Sequence, residues 1–343
     1  MIEIRPVGPS IPSSELSSLT ALRRSLDHEL DPTDPEVPAE RVQADLTCSS
    51  DVMQVRGFVA WSDGEAVGWA RSWNYYGRRN RDALDLDVEV HPAHRRRGIG
   101  RALLAAVIPE AIADGRNRMV AFGVKSDATV AFWRSLGLEP EYEERASRLL
   151  FDGVDADLMN RWIERRDERA AELRLVRWRG RTPEEWMDPL RTARQAMDDA
   201  PLGTIEWEKG MDSADEVAGL TDWEIACGYD PWVLLAVAPS GEVAGYTKAH
   251  VDRFDRFHCQ QGDTATVAAW RNRGIGRWLK AEMWTWLRAA GADVAMLETE
   301  NAEENAAMLA INVEMGFEPW RTYLAWQSDL ADLAAVVGSP VVD

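Results

Sequence analysis

Hydrophobic and polar positions alternate with a period of two over residues 84–90, with Leu84, Leu86, Val88 and Val90 on one face and Asp85, Asp87 and Glu89 on the other. That spacing predicts a strand with one buried face. Residues 57–61 and 66–73 alternate about Ser62-Asp63-Gly64-Glu65, a tight turn that predicts an antiparallel hairpin. Residues 2–7, 119–124 and 145–151 are further strand candidates, while 17–30, 38–46, 99–113 and 128–136 carry helical periodicity. A second succession follows: a strand at 173–178, a hairpin from 232–237 and 243–250, and a long helix at 275–290. Between the two lies a highly charged stretch, 155–171, which predicts a helical connector.

The two successions are copies of one another. Gly-Glu-Ala-Val-Gly at 64–68 is answered by Gly-Glu-Val-Ala-Gly at 241–245. Arg95-Arg96-Arg97-Gly98-Ile99-Gly100 is answered by Arg271-Asn272-Arg273-Gly274-Ile275-Gly276. Ser-Leu-Gly-Leu ending at Leu138 is answered by Glu-Met-Gly-Phe ending at Phe317. All three correspondences share very nearly one spacing along the chain, which predicts two tandem domains of one mixed α/β fold. The expected boundaries are 1–152 for the first domain, 153–172 for the connector, 173–330 for the second domain and 331–343 for a tail.

Composition narrows the function classes. Among 343 residues, 39 Lys and Arg stand against 58 Asp and Glu, a net charge of −19 that repels phosphate backbones and anionic lipid. Neither nucleic acid nor membrane is an expected partner. A hydrophobic content of 45% with 28% charged residues is that of a folded chain. Three cysteines without a C-x-x-C pair make no thiolate zinc site, and no metal is expected. No basic leader opens the chain and no run of about 18 apolar residues crosses it, so a cytoplasmic protein is expected.

The chemistry points to the turn before each long helix. At a helix start several backbone N–H groups lack an intrahelical acceptor, and glycines let a ligand approach them closely. Arg95, Arg96, Arg97 and Arg101 crowd the first such turn, and Arg271, Arg273, Arg277 and Lys280 repeat the arrangement. Positive side chains are unfavourable at a helix N-terminus, and a bound anion such as a pyrophosphate reconciles them. There is no G-x-x-x-x-G-K-[ST], and Leu103 stands where a dinucleotide fingerprint has its third glycine.

R-x-x-G-x-G after a fourth strand, followed further on by the helix-ending glycine, resembles the GNAT acyltransferase superfamily in both halves. The second half also resembles actinobacterial tandem acetyltransferases through Asp198-Asp199-Ala200-Pro201, Thr264-Ala265-Thr266 and Thr299-Glu300-Asn301 running on to Asn305 and Asn312. The resemblance implies acetyl-CoA or another short acyl-CoA, with its pyrophosphate on Arg95, Arg96, Arg97, Gly98, Ile99, Gly100 and Arg101. In the second copy it implies Arg271, Asn272, Arg273, Gly274, Ile275 and Gly276. Val88, Val90, Thr266, Val267 and Asn305 are expected along the rest of the cofactor.

The reaction implied is transfer of an acetyl group to the amine of a small molecule by direct attack. Glu89 is then the candidate base, against the alternative of one more carboxylate on a solvated strand face. The superfamily often has a tyrosine four residues before the helix-ending glycine, but Trp133 and Asn312 stand there; either the thiolate leaves without an acid, or another residue such as Tyr323 serves as the acid, or one copy or both only binds CoA. Acceptor selection is expected in the segment between the first two helices, at Asp31, Asp34 and Glu36 in the first copy and Asp198 and Asp199 in the second. A CoA-binding sensor or scaffold without turnover, or a mycothiol-synthase-like acetyltransferase, is the alternative. The duplication implies a monomer with an internal pseudo-dimer.

Overall fold

The computed structural model describes residues 2–338 apart from residue 209. The chain opens with β1 (Ile2–Pro6), α1 (Ser13–Leu30) and α2 (Ala39–Thr47), then β2 (Met53–Ser62), β3 (Glu65–Tyr75) and β4 (Ala83–Val90). Next come α3 (Ile99–Ala113), β5 (Arg118–Val124), α4 (Asp127–Arg134), β6 (Tyr142–Leu150), α5 (Ala156–Glu164) and α6 (Arg166–Arg169). The second succession is β7 (Arg174–Arg179), α7 (Glu184–Arg194), α8 (Ala214–Ala226), β8 (Tyr229–Val237), β9 (Val243–Asp252), β10 (His258–Thr266) and α9 (Ile275–Ala289). It ends with β11 (Met296–Ala302), α10 (Ala306–Met315), β12 (Glu318–Asp329) and α11 (Leu330–Gly338).

The hairpin turn between β2 and β3 places Asp63 and Gly64 at positive φ, 52° and 85°, the handedness that matches the twist of the strands it joins. Two compact units result. One comprises the residues up to Tyr142 together with those from Tyr323 on, and the other runs from Glu143 to Thr322. In the first unit the strand order is β1-β2-β3-β4-β5-β12, and in the second β7-β8-β9-β10-β11-β6.

Each unit is a sheet between two helical layers. In the first, Leu103, Leu104 and Val107 of α3 pack on Leu84 and Leu86 of β4. On the other face, Leu19, Leu22 and Leu26 of α1 and Val42 and Leu46 of α2 cover Val59, Trp61 and Trp69. In the second unit α9 packs Leu279 and Met283 against Trp232 and Leu234, while Leu190 and Ala193 of α7 cover Val233, Leu235 and Tyr246.

The partition differs from the sequence expectation in the strand that follows α4. Residues 142–150 pair antiparallel with β11, Glu144 facing Ala302 and Leu150 facing Met296. It is Tyr323 to Asp329 of β12 that completes the first unit beside β5. Side-chain chemistry gives the reason. Arg145 and Arg148 of β6 meet Glu303 and Glu298 at 2.6 and 2.5 Å. The β5 segment facing β12 is Arg118–Val124, with no acid to offer those arginines. The charged stretch after β6 is helical as expected, but it is not a free connector. Met159 and Trp162 of α5 are buried in the core that α9 forms. The expected tail at 331–343 is α11 as far as Gly338, whose Leu330, Leu333 and Val337 are buried against the α3 layer, and residues 339–343 lie outside the described residues.

Candidate active site

In both units the central parallel strands part company. Only residues 83–86 of β4 pair with 118–121 of β5, and only 258–260 of β10 with 296–298 of β11. Beyond those points, among the described residues, Asp87–Val90 pair only with β3, and Gln261 and Thr264–Thr266 only with β9, with a bulge between them. At the mouth of each opening sits the arginine- and glycine-rich turn. Its two copies have the same backbone: Arg96 and Asn272 at φ 61° and 64°, Gly98 and Gly274 at 77° and 81°. The first helical bonds run from Ala102 N–H to Gly98 O and from Trp278 N–H to Gly274 O. The N–H groups just before them have no partner within the helix, which makes each turn a cradle for an anion.

The repeated Gly-Glu-x-x-Gly has its cause here too. A Cβ on Gly68 would lie 2.9 Å from Glu89 O, and one on Gly245 2.8 Å from Ala265 O, so β3 and β9 can lie against the site strands only as glycine.

The arginines of the turns divide into two kinds. Arg96 and Arg97 are exposed, and no ion pair holds them among the described residues. Arg101 donates to Val336 O at 3.0 Å. Arg95 donates through Nε to Val90 O at 3.0 Å and grips Glu29 with both terminal nitrogens, at 2.7 and 2.5 Å. In the second unit Arg271 donates to Thr266 O at 3.2 Å and pairs with Asp199, Arg273 pairs with Glu172 at 3.3 Å, and Arg277 pairs with Glu314 at 2.8 Å. Lys280 does not belong to this cluster. It is 1% exposed, in the core, with its Nζ 5.5 Å from the Phe317 ring.

Glu89 lies on the opened segment of β4, one third exposed, accepting a hydrogen bond from Trp69 Nε1 at 2.7 Å. Arg71 stands 3.6 Å from it, forked onto Asp87 and in reach of Asp45 at 3.8 Å. Burial beside Glu89 pushes the Asp87 carboxyl up, against the pull of Arg71. On the polar face of β4, Asp87 and Glu89 are therefore tied to Arg71 and Trp69 of the neighbouring strand. In the second unit Ala265 takes the place of Glu89, facing Tyr246 as Glu89 faces Trp69. There Tyr246 donates to Asp263 at 3.2 Å, and Arg194 pairs with Asp263 at 2.7 Å. Burial and that carboxylate push the Tyr246 hydroxyl well above its ordinary range. Lys248, the counterpart of Arg71, is bound by both oxygens of Glu224 at 2.5 Å.

The model of the acetyltransferase (GNAT) family matches residues 20–138 and again 184–317. The chain belongs to the GNAT acetyltransferase family. Among curated relatives it is similar to a mycothiol acetyltransferase of Nocardiopsis dassonvillei, 29% identical over 283 residues, 78% of this chain and 80% of that one. A mycothiol acetyltransferase of Salinispora tropica is likewise 29% identical, over 71% of this chain and 72% of its own. Among solved structures, a tandem GNAT protein from the clavulanic acid biosynthesis pathway superposes with a TM-score of 0.76 at 21% identity, covering 96% of this chain and 99% of that one. A GCN5-related N-acetyltransferase from Sphaerobacter thermophilus follows at 0.66 and 18%, covering 96% of each. The fold is thus that of two GNAT domains in tandem.

Against the GNAT pattern, the positions four residues before Gly137 and Gly316 hold no acid. Trp133 stacks on Trp326 with centroids 5.5 Å apart, and Asn312 donates to Asn301 at 2.6 Å while its Oδ1 is buried without a partner. Tyr323 is half-buried in the first unit, opposite Val124 on the part of β5 that has left β4. Val88 and Val90 pack on the α3 core, and Val267 on the α7 core. Asn305 caps α10 by accepting from Met308 N–H at 3.2 Å. The acidic candidates for acceptor binding are engaged within the chain. Asp31 accepts from Thr33, Glu36 pairs with Arg24, and Asp198 accepts from Gly210 N–H. Asp34 sits in the same loop, its backbone bonded to Asp31 O at 3.3 Å. Among the described residues no helix is long and apolar enough to cross a membrane.

Proposed function

We propose that the chain is an acyl-CoA-dependent N-acyltransferase that moves a short acyl group, acetyl in the simplest case, to the amine of a small molecule. What carries the reading is the duplicated turn of unpaired N–H groups at the mouth of the parted strands. The N–H groups of residues 97–101 and the free side chains of Arg96 and Arg97 would hold the pyrophosphate, with the pantetheine along the backbone of Asp87–Val90. Bound acyl-CoA supplies the thioester and a thiolate leaving group. Glu89, which accepts a hydrogen bond from Trp69 on one oxygen, would take the proton that the attacking amine must lose. The first unit is the favoured productive half, because the second has Ala265 where Glu89 stands and keeps Arg273 paired. Both relatives named for mycothiol favour a second reading, an acetyltransferase of mycothiol chemistry.

Thiol release from acetyl-CoA across a panel of small amines, mycothiol precursors included, tests the activity. Turnover with at least one amine is expected, lowered roughly 100-fold or more in Glu89→Gln. Tight CoA binding with no thiol released would make the chain a CoA-binding module instead. Calorimetry separates the two turns. A Cβ at Gly100 would lie 2.9 Å from the Phe132 ring, whereas one at Gly276 meets only Ile311 at 3.4 Å. Gly100→Val is therefore expected to abolish the first-unit site and Gly276→Val to weaken the second. Unchanged stoichiometry and affinity in both variants would remove the turns from the cofactor site.

A further inference from the structure

Two arginines occupy the first position of the cofactor turn, and neither is aimed as a phosphate ligand. Arg95 spends its Nε on Val90 O, the last carbonyl of β4, and both terminal nitrogens on Glu29, the penultimate residue of α1. Arg271 repeats this with Thr266 O, the last carbonyl of β10, and with Asp199, which closes the short 3-10 turn after α7. The carboxylates are of different residue types and stand at non-equivalent places, since the step from Glu29 to Asp199 is shorter than the step from Arg95 to Arg271. Two unlike sequence solutions have reached one geometry, and that points to a shared requirement. A guanidinium suits it, since its planar fork can hold a carbonyl and a carboxylate together where lysine cannot. The paired carboxylate also cancels the charge that a phosphate ligand would offer, whereas Arg96 and Arg97 beside it keep theirs.

We infer that Arg95 and Arg271 are positioning residues: each braces the helix-borne wall of its acceptor side against the strand end that carries the cofactor turn. The brace rests on the acyl-CoA reading for what it positions, but not for its existence. It fixes the distance between the carbonyl at the strand end and the segment between the first two helices, and so the width of the opening an acceptor enters.

The test compares wild type, Glu29→Gln and Arg95→Gln by CoA calorimetry, by amide hydrogen exchange over residues 24–34, and by steady-state kinetics with the best amine from the panel. Both variants should exchange about tenfold faster over residues 24–34 and to the same extent, because each removes the same contact. CoA affinity should stay within about threefold of wild type, while KM for the amine rises severalfold with kcat little changed. Arg95→Gln weakening CoA tenfold or more while Glu29→Gln does not would make Arg95 a phosphate ligand and overturn the brace. Unchanged exchange over residues 24–34 in both variants would overturn it as well. If wild type binds no CoA, the acyl-CoA reading fails, and the exchange data alone still decide whether the brace exists.

Discussion

Lys280→Leu stabilises the second unit by about 2–5 kcal/mol at pH 7 and raises its melting temperature by roughly 5–15 °C. Lys280 sits in the middle of α9 among Leu279, Met283 and Phe317, and no carboxylate answers it among the described residues. Burial drives its amine from the ordinary 10.5 down to about 7. Between about pH 7 and 10.5 the unfolded chain holds a proton that the folded chain has released, so stability rises with pH across that window by about 1.4 kcal/mol per unit. Below about 7 both states are protonated, the slope vanishes, and the folded state bears the whole cost of the buried charge. The leucine variant should be flat through that range. Leu104, which occupies the same place on α3, is already fully buried in the first unit and shows that the site accepts the shape. Urea unfolding of both proteins at pH 7 and pH 10 measures it, and equal slopes against pH would refute the account.

Glu224→Gln acts in the opposite direction, with an expected loss of about 3–5 kcal/mol. The carboxylate of α8 holds Lys248 of β9 through both oxygens and also His250 at 3.2 Å, and Glu224 and Lys248 are nearly inaccessible. Removing the acid strands a buried ammonium. Against the desolvation that would raise it, the Lys248 ammonium and the His250 ring pull the carboxyl down to about 2. The stabilisation is therefore complete above about pH 4.5 and fades as pH falls towards 2, and the wild-type second unit should lose it progressively in acid. Glu224→Leu combined with Lys248→Met should lie close to wild type, because two apolar groups leave no orphaned charge. Urea melts of the single and double variants at pH 7 and pH 3 decide this. A double variant as weak as the single one would mean that packing, not charge, is what Glu224 supplies.

Much of this architecture is legible before any coordinates, because local rules act alone in those places. The alternation of Leu84 and Leu86, the Asp63-Gly64 turn and the start of α3 after Gly98 follow from spacing and backbone preference. The repeat is legible because the backbone at both turns requires glycine at the same place, Gly98 and Gly274. Other features depend on distant partners. The sequence of β6 shows a strand but not which strand edge it joins, and the choice lay in Glu298 and Glu303, far along the chain in the second copy. Asp87 and Glu89 look like a solvated face until Arg71 arrives from the neighbouring strand. Lys280 reads as one more cation near a basic turn, and the available signal was the leucine at its repeat partner, Leu104. Nothing nearby in sequence announces the contact of Arg95 with Glu29.

The last strand also bears on how the protein is made. A ribosome delivers residues in order, and the edge of β5 acquires its Tyr323–Asp329 neighbour only after the whole second unit has emerged. Until then the first unit has an open edge of Arg118–Val124, mostly apolar, the kind of surface that invites pairing with another nascent chain. A gene fragment ending at residue 152 should give an insoluble product even though it contains the complete turn and Glu89. The same fragment supplied in trans with a peptide of residues 318–338 should recover solubility. Folding of the first half waits until Asp329 has emerged, and a message truncated before that point leaves the first unit without its last strand.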